Sequence, residues 1–459
     1  MAMYKTPGVY VEEIGSLPSS VVAVATAIPA FIGYTQKRPD ESIEARRISS
    51  LKEFELLFGG AFHEVFSAEI TRHREVIGGS PIEVLSIVEL PEEPESPNFR
   101  LYYSLQMFFA NGGGACYIVS VGTYEVSGTI TPIVSASLIE GLNVLAKEDE
   151  PTLILFPDAA SILNERPNPS VTSRAAFYAL FNEALTQCAR LKDRFTLIDL
   201  HYGVQSINQL SRDFREGIGT NNLSYGAAYY PWLLTNLRYA YEASEIIITE
   251  TGTEPESDPP APVVHLKYDT SKLDNLDNDP DEEGTDFPDN EAKKQYYEAR
   301  SLFHIDNKLY TEIKAKIESF RVNLPPSSAI AGIYARVDRQ RGVFKAPANE
   351  SINNIIRPLV KIDNPEQDEM NEHFTGKSIN AIRSFTNKGV MVWGARTLAS
   401  NSNEWRYISV RRFFIFAEES IKKSIETFVF EANTESTWIR VRGLIENFLS
   451  QQWKAGALV

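Results

Sequence analysis

The chain has 459 residues, 43% hydrophobic and 11% aromatic, enough for two to four domains with buried cores at about 100–200 residues each. Its net charge of −16 argues against a general nucleic-acid binder, which neutralises phosphates with clustered Lys and Arg. No apolar run of about 18 residues spans a membrane, and the opening MAMYKTPGVY lacks a signal core. The two cysteines, Cys116 and Cys188, form no CxxC, which fits a reducing cytoplasm and argues against a disulfide framework or a zinc site.

In chain order, TPGVYVEEI (6–14) alternates Val9 and Val11 against Tyr10 and Glu12, a strand pattern bracketed by Pro7-Gly8 and by GSLPSS. VVAVATAIPAFIGYT (21–35) reads as a buried strand or two, broken at Pro29. Ser50 and Glu53 have capping-box spacing and open a helix carrying Leu51, Phe54, Leu57 and Phe58. RLYYSLQMFFAN (100–111) is helical, stops at Gly112-Gly113-Gly114, and leads into the strand CYIVSVG (116–122). Helices at 137–148 and 175–193, each followed by a buried strand (151–158 and 195–200), extend this α/β alternation and imply a parallel or mixed sheet.

The alternation breaks at 250–291, where 14 acidic residues face only Lys267 and Lys272 in a Pro-, Asn- and Gly-rich stretch that reads as an exposed insertion. One long helix is expected over about 291–320, and 322–338 returns to a core. Strands are expected at 389–398 and 404–412. Two amphipathic helices follow, one with Phe413, Phe416, Ala417, Ile421, Ile425 and Phe428 on its stripe, the other with Trp438, Val441, Leu444, Ile445, Phe448 and Leu449. Residues 301–459 carry a net +5 and residues 1–300 a net −21.

Chemistry-bearing motifs are missing. The three glycines precede a strand rather than open a helix, and no GxxxxGK[ST] occurs, so phosphate cradling is not expected. His63-Glu64 lacks the second histidine of HExxH, GxSxG and calcium-loop patterns are missing, and the acidic run reads as solvated rather than catalytic. Trp405, Arg406, Tyr407, Arg411 and Arg412 interleave aromatic and basic groups as a nucleic-acid surface would, but a half-buried strand with outward charges explains them as well. The expectation is a non-enzyme without cofactor or metal.

TPGVYVEEI, FANGGGACYIVSVG (109–122), QCARLKDRF (187–195), AGIYARVDRQRGVFKAPANE (331–350), GVMVWGARTL (389–398) and EWRYISVRRFFIFAEESI (404–421) together resemble the contractile tail sheath proteins of phage tails, R-type pyocins and extracellular contractile injection systems. The resemblance implies a multidomain α/β or α+β subunit with mixed sheets flanked by helices. Such subunits form six-fold rings stacked around an inner tube, with baseplate and cap proteins and sometimes sheath paralogues. They contract without nucleotide hydrolysis, and they involve no nucleic acid and no membrane insertion.

It further implies an N-terminal arm (1–20) that donates the strand Val9, Tyr10, Val11, Glu12 and Ile14 to a neighbouring subunit, with Gly15 and Pro18 in the hinge. The middle and outer domains would occupy 21–350. An inner domain, 351–459, would face the tube and pack with 21–35, and its charge asymmetry makes Lys422, Lys423, Arg440, Arg442 and Lys454 the candidate tube contacts. Members of the family continue past the segment matching QQWKAGAL into a second arm, whereas the sequence ends at Val459. Assembly is expected in the cytoplasm, in a particle either released or anchored at the membrane. The alternatives are the sheath of a membrane-anchored type VI-like system or a static filament or capsid-like protein.

Overall fold

The computed structural model describes residues 21–458 except 78–79, 95, 163–169, 202–206, 252–261 and 269–289. The expected arm strand, its hinge at Gly15 and Pro18, and most of the acidic insertion therefore lie outside the described residues.

A nine-stranded sheet organises the chain. Its first half contains β1 (Pro29–Thr35), β2 (Ala45–Ile48), helix α1 (Leu51–Phe58), the hairpin β3 (Ser67–Ile77) and β4 (Ser80–Glu89), α2 (Leu101–Ala110) and β5 (Cys116–Thr123). A short hairpin follows, β6 (Glu125–Val126) and β7 (Thr129–Ile130), then α3 (Ser135–Leu145), β8 (Leu153–Leu155), α4 (Val171–Leu191), β9 (Phe195–Asp199) and α5 (Ile207–Gly217). Next are β10 (Gly226–Tyr230), β11 (Leu233–Thr235), β12 (Ile247–Thr251), α6 (Asn290–Glu298), α7 (Leu302–Ile305), α8 (Asn307–Ser319), β13 (Asn323–Leu324) and α9 (Ser327–Arg341). The chain closes with β14 (Glu350–Ser351), β15 (Ile355–Pro358), α10 (Asn364–Asn371), β16 (Ile379–Phe385), β17 (Gly389–Val392), α11 (Ile408–Ile425) and α12 (Glu435–Lys454).

The strand order is β14-β17-β16-β10-β9-β8-β1-β5-β2. The six strands from β16 to β5 are parallel, and β2, β17 and β14 close the edges antiparallel to their neighbours. β1 is buried along its whole length, as a parallel strand covered on both faces must be. Two three-stranded sheets, β13-β11-β15 and β12-β3-β4, complete the mixed α/β architecture.

Several expected boundaries move. Residues 404–412 are not a strand. Arg396 and Tyr407 make a single bridge, and α11 then starts at Ile408, because Arg411 and Arg412 find buried partners on one helical face. β17 ends at Val392 rather than running to 398. The single helix expected over 291–320 is three, since Ser301 bridges to His265 and the Asp306 side chain caps α8 through the Lys308 and Leu309 N–H groups. Within 21–35 only Pro29–Thr35 is a strand, and residues 22–24 instead run along α11. The sheet takes strands from both sides of residue 350, so a division there does not separate two sheets. Ser50 caps α1 as expected, but Glu53 reaches back to the backbone N–H and hydroxyl of Ser49 rather than to Ser50.

Candidate functional site

An open α/β sheet places ligands beyond the carboxyl ends of its strands, where the strand order reverses. Here β1 has β5 on one side and β8 on the other, so the reversal falls at β1. Two of the protein's own carboxylates stand at this end of the sheet. Asp158, fully buried just after β8, accepts the Tyr34 N–H (2.9 Å) and the Arg100 N–H at the start of α2 (2.6 Å). Asp199 at the end of β9 accepts both the N–H (2.9 Å) and the hydroxyl (2.5 Å) of Ser327, the first residue of α9. The helix N-termini that could hold a ligand anion are thus satisfied internally.

Burial pushes the Asp199 carboxyl up to about 7 and raises that of Asp158, against the pull of their hydrogen bonds. Glu64 lies at the same end. It accepts the Asn98 N–H and side-chain amide, both at 2.7 Å, and burial pushes it up to about 7. One buried guanidinium, Arg100, offsets all three. Among the described residues, no group of three or more His, Cys, Asp or Glu is placed to hold a metal.

Toward the amino ends of β1, β8 and β9 lies the antiparallel helix pair α11–α12, with its own small core of Val21, Val343, Phe413, Phe416, Ala417, Leu444 and Phe448. An ion pair sunk beneath it fixes the pair to the sheet. Arg412 binds Asp338 of α9 at 2.9 and 2.5 Å and donates to the Thr26 carbonyl (2.7 Å), while the Thr26 hydroxyl donates to Asp338 (2.6 Å). Both charged side chains are at most 6% exposed. Arg411 is held between the Tyr225 and Trp405 rings, 4.2 and 4.4 Å from its guanidinium carbon. Neither arginine is presented outward, so the nucleic-acid reading of 405–412 loses its two buried cations.

The five candidate cations do not share one surface. Lys422 and Lys423 stand in the last turn of α11, 3.2 and 3.6 Å from Glu419, and Lys423 also donates to the Asp149 carbonyl (3.4 Å). Arg440 pairs with Glu431 at 3.0 Å. Arg442 and Lys454 are exposed, with no ion-pair partner among the described residues. At about 100° per residue, Arg440 and Lys454 lie some 40° apart on α12, with Arg442 about 160° from Arg440.

The Arg412–Asp338 clamp and the two capping aspartates were not anticipated from the sequence. The one local signal is the Arg411-Arg412 pair at the head of an apolar helical stripe, which a strand assignment conceals.

Residues 283–398 match the phage tail sheath protein central domain, and residues 400–459 match the phage tail sheath C-terminal domain. The chain's C-terminal part, residues 283–398 and 400–459, thus carries both of these sheath-family domains. The chain also matches the tail sheath protein of Salmonella phage ViI, 25% identical over 138 residues, or 29% of this chain; the match spans 21%, about a fifth, of that relative's length.

Solved structures extend the likeness along the whole chain. The anti-feeding prophage helical sheath in its contracted state, solved by cryo-electron microscopy, is 26% identical at a TM-score of 0.54, covering 99% of this chain and 85% of that one. A chain in the anti-feeding prophage baseplate, 6-fold symmetrised, gives the same values. The PVC sheath complex in its contracted state, at 24% identity and a TM-score of 0.56 over 100% of this chain and 85% of that one, shares the fold. Over its length, then, the chain has the fold of structural sheath proteins of phage tail-like systems. No described helix is long and apolar enough to cross a membrane.

Proposed function

We propose that the protein is a structural subunit of a contractile sheath, assembled in the cytoplasm, that stacks in six-fold rings around an inner tube and drives the tube through a target envelope. Baseplate and cap proteins bound the array, in a particle either released or anchored. The observation that carries this reading is the joint one: both sheath domains match in sequence, and nearly the whole chain superposes on a contracted sheath. No nucleotide is needed, since contraction exchanges one packing of rigid bodies for another of lower free energy.

Rigidity has a physical basis in the nine-stranded sheet, which takes strands from residues 29 to 392, and in the Arg412–Asp338 clamp that ties the helix pair to it. In this reading the helix pair belongs to the tube-facing side, with 351–459 as the inner domain and the acidic insertion projecting outward. Residues 1–20 form an arm that links each subunit to its neighbour, and GSLPSS behind the strand lets a subunit turn while the arm stays paired. Deleting residues 1–20 tests this. A folded subunit that no longer builds connected sheath is expected; normal assembly and contraction would show that the strand belongs to its own subunit.

A further inference from the structure

A cavity of about 890 Å³ opens between α5, α10 and the turn that leads into β16, a size that suits a small ligand. Three cationic side chains line it: Arg212 and Arg215 from α5, and Lys377 from the turn. Arg212 is exposed, whereas Arg215 and Lys377 are 5% and 7% exposed. Lys377 is held in place at both its ends. Its N–H bonds the Leu398 carbonyl (2.8 Å), and its ammonium donates to the Arg215 carbonyl. The lysine charge is thus anchored on the residue that carries the second buried charge.

Donors outnumber acceptors among these buried groups. Arg215 gives Nη1 to the Glu369 carboxylate (3.1 Å) and Nη2 to the Glu369 carbonyl (2.5 Å), while its Nε is buried with no hydrogen-bond partner among the described residues. The Lys377 ammonium has three N–H donors and makes one hydrogen bond among the described residues. His373 accepts the Thr375 N–H at Nδ1 (3.3 Å), so its neutral ring carries the proton on Nε2, a further donor. Three carboxylates also line the cavity. Glu366 is engaged in capping α10, where it accepts the Asp363 N–H (2.9 Å), and Glu216 is exposed. Glu369 alone of the three pairs with a buried cation, and its side chain is 49% exposed. Two buried cations therefore share one carboxylate that water reaches, and a buried charge without a close counter-charge is costly. Burial lowers Lys377 and His373, and the charge of Arg215 lowers both further.

We propose that this cavity is a binding site for a small oxyanion of the phosphate type, held by Lys377 and the Arg215 Nε on the inside and by Arg212 on the outside. A phosphate brings up to two negative charges and several acceptor oxygens, which match converging cationic donors better than a single carboxylate does. Bound there, the anion supplies the counter-charge that Arg215 and Lys377 lack. It also braces α5 against the turn before β16, two elements already joined by the bond from Lys377 to Arg215. The site goes beyond the sheath reading and does not depend on it.

Isothermal titration calorimetry of the full chain with inorganic phosphate, at an ionic strength held constant with sodium chloride, tests it. Saturable binding of one phosphate per chain is expected. Lys377→Gln should raise the Kd by about tenfold or more, as the loss of one charge-assisted hydrogen bond does. Arg212→Gln, at an exposed position, should raise it by about two- to fivefold and keeps the test readable if Lys377→Gln does not fold. Arg442→Gln, exposed on α12, is the control and should leave the Kd unchanged. Acetate, with one charge and two oxygens, should bind at least about tenfold more weakly than phosphate. Thermal unfolding gives a second reading: phosphate should raise the midpoint of the parent chain and not that of folded Lys377→Gln. The absence of saturable heat, a Kd unchanged by both cavity variants, or acetate binding as tightly as phosphate would overturn the assignment.

Discussion

Arg412 and Asp338 bear the most on how the helix pair is held. Both are buried and bonded to each other and to residue 26, so removing one leaves the other charged and unpaired in the interior. Breaking such a pair typically costs about 3–5 kcal/mol. Arg412→Ala should lose stability of that order in chemical denaturation, with the helix pair protecting its amides from hydrogen exchange less than the sheet does. A loss under about 1 kcal/mol would mean the pair is held by its apolar core alone.

Glu64 gives a pH signature. Its carboxyl titrates near 7 in the folded chain and near the ordinary 4.5 when unfolded. Between those values the folded state keeps a proton that the unfolded state releases, so folding stability falls as pH rises from about 4.5 to 7. Glu64→Gln should flatten this slope by about 1.4 kcal/mol per pH unit within the window, the value of one proton. Thermal or urea denaturation at several pH values measures it, and an unchanged slope would contradict the burial argument. Asp199 contributes in the same sense, so some slope should remain in the variant.

Among the candidate tube contacts, Lys422 and Lys423 already face Glu419, with the Asp149 carbonyl beside Lys423, so reversing both should weaken co-assembly with the tube and also strain the subunit. Lys454 has no ion-pair partner among the described residues, so Lys454→Glu breaks none of their pairs. It should leave stability within about 0.5 kcal/mol while lowering tube co-assembly, and unchanged extended particles would remove Lys454 from the contact.

At the scale of elements, α2 and α9 pack so closely that a Cβ on Gly332 would stand 2.5 Å from the Phe108 carbonyl oxygen. Gly332→Ala must push the helices apart and should cost about 1–3 kcal/mol, read by denaturant midpoint. Much of this level was legible in the sequence. The spacing of Leu101, Leu105 and Phe108 gave α2, and its glycine stop is real: Gly112 has φ +103° and the Gly113 N–H bonds the Phe108 carbonyl.

Failure came where tertiary partners overrule local pattern. EWRYISVRR alternates like a strand, yet Arg411 and Arg412 gain buried aromatic and carboxylate partners only on a helix. Residues 21–27 are as apolar as a strand but pack along α11 instead. The α12 stripe was visible in part. Trp438 and Leu449 were grouped with Leu444 and Phe448, because period alone does not divide a wide apolar arc into a buried face and an open one.

On the scale of the molecule, the alternation of helices and buried strands predicted a parallel or mixed sheet, and the chain builds one. Its strand order was not legible, because β10 and β16 are joined by register over more than a hundred residues of intervening chain. Nor was the capping of α2 and α9 by Asp158 and Asp199, which single aspartates after apolar strands do not announce. Those carboxylates give the sheet end a structural use: they anchor α2 and α9, and through α9 and Asp338 the sheet holds the helix pair. A subunit built this way suits a device that moves as rigid bodies.

A contractile sheath needs two packings of one subunit. Electron microscopy of the protein expressed alone and together with its tube tests that most directly. Long hollow six-fold cylinders are expected, narrower and extended around the tube and shorter and wider without it. A soluble monomer, or a filament with a single fixed diameter under both conditions, would contradict it.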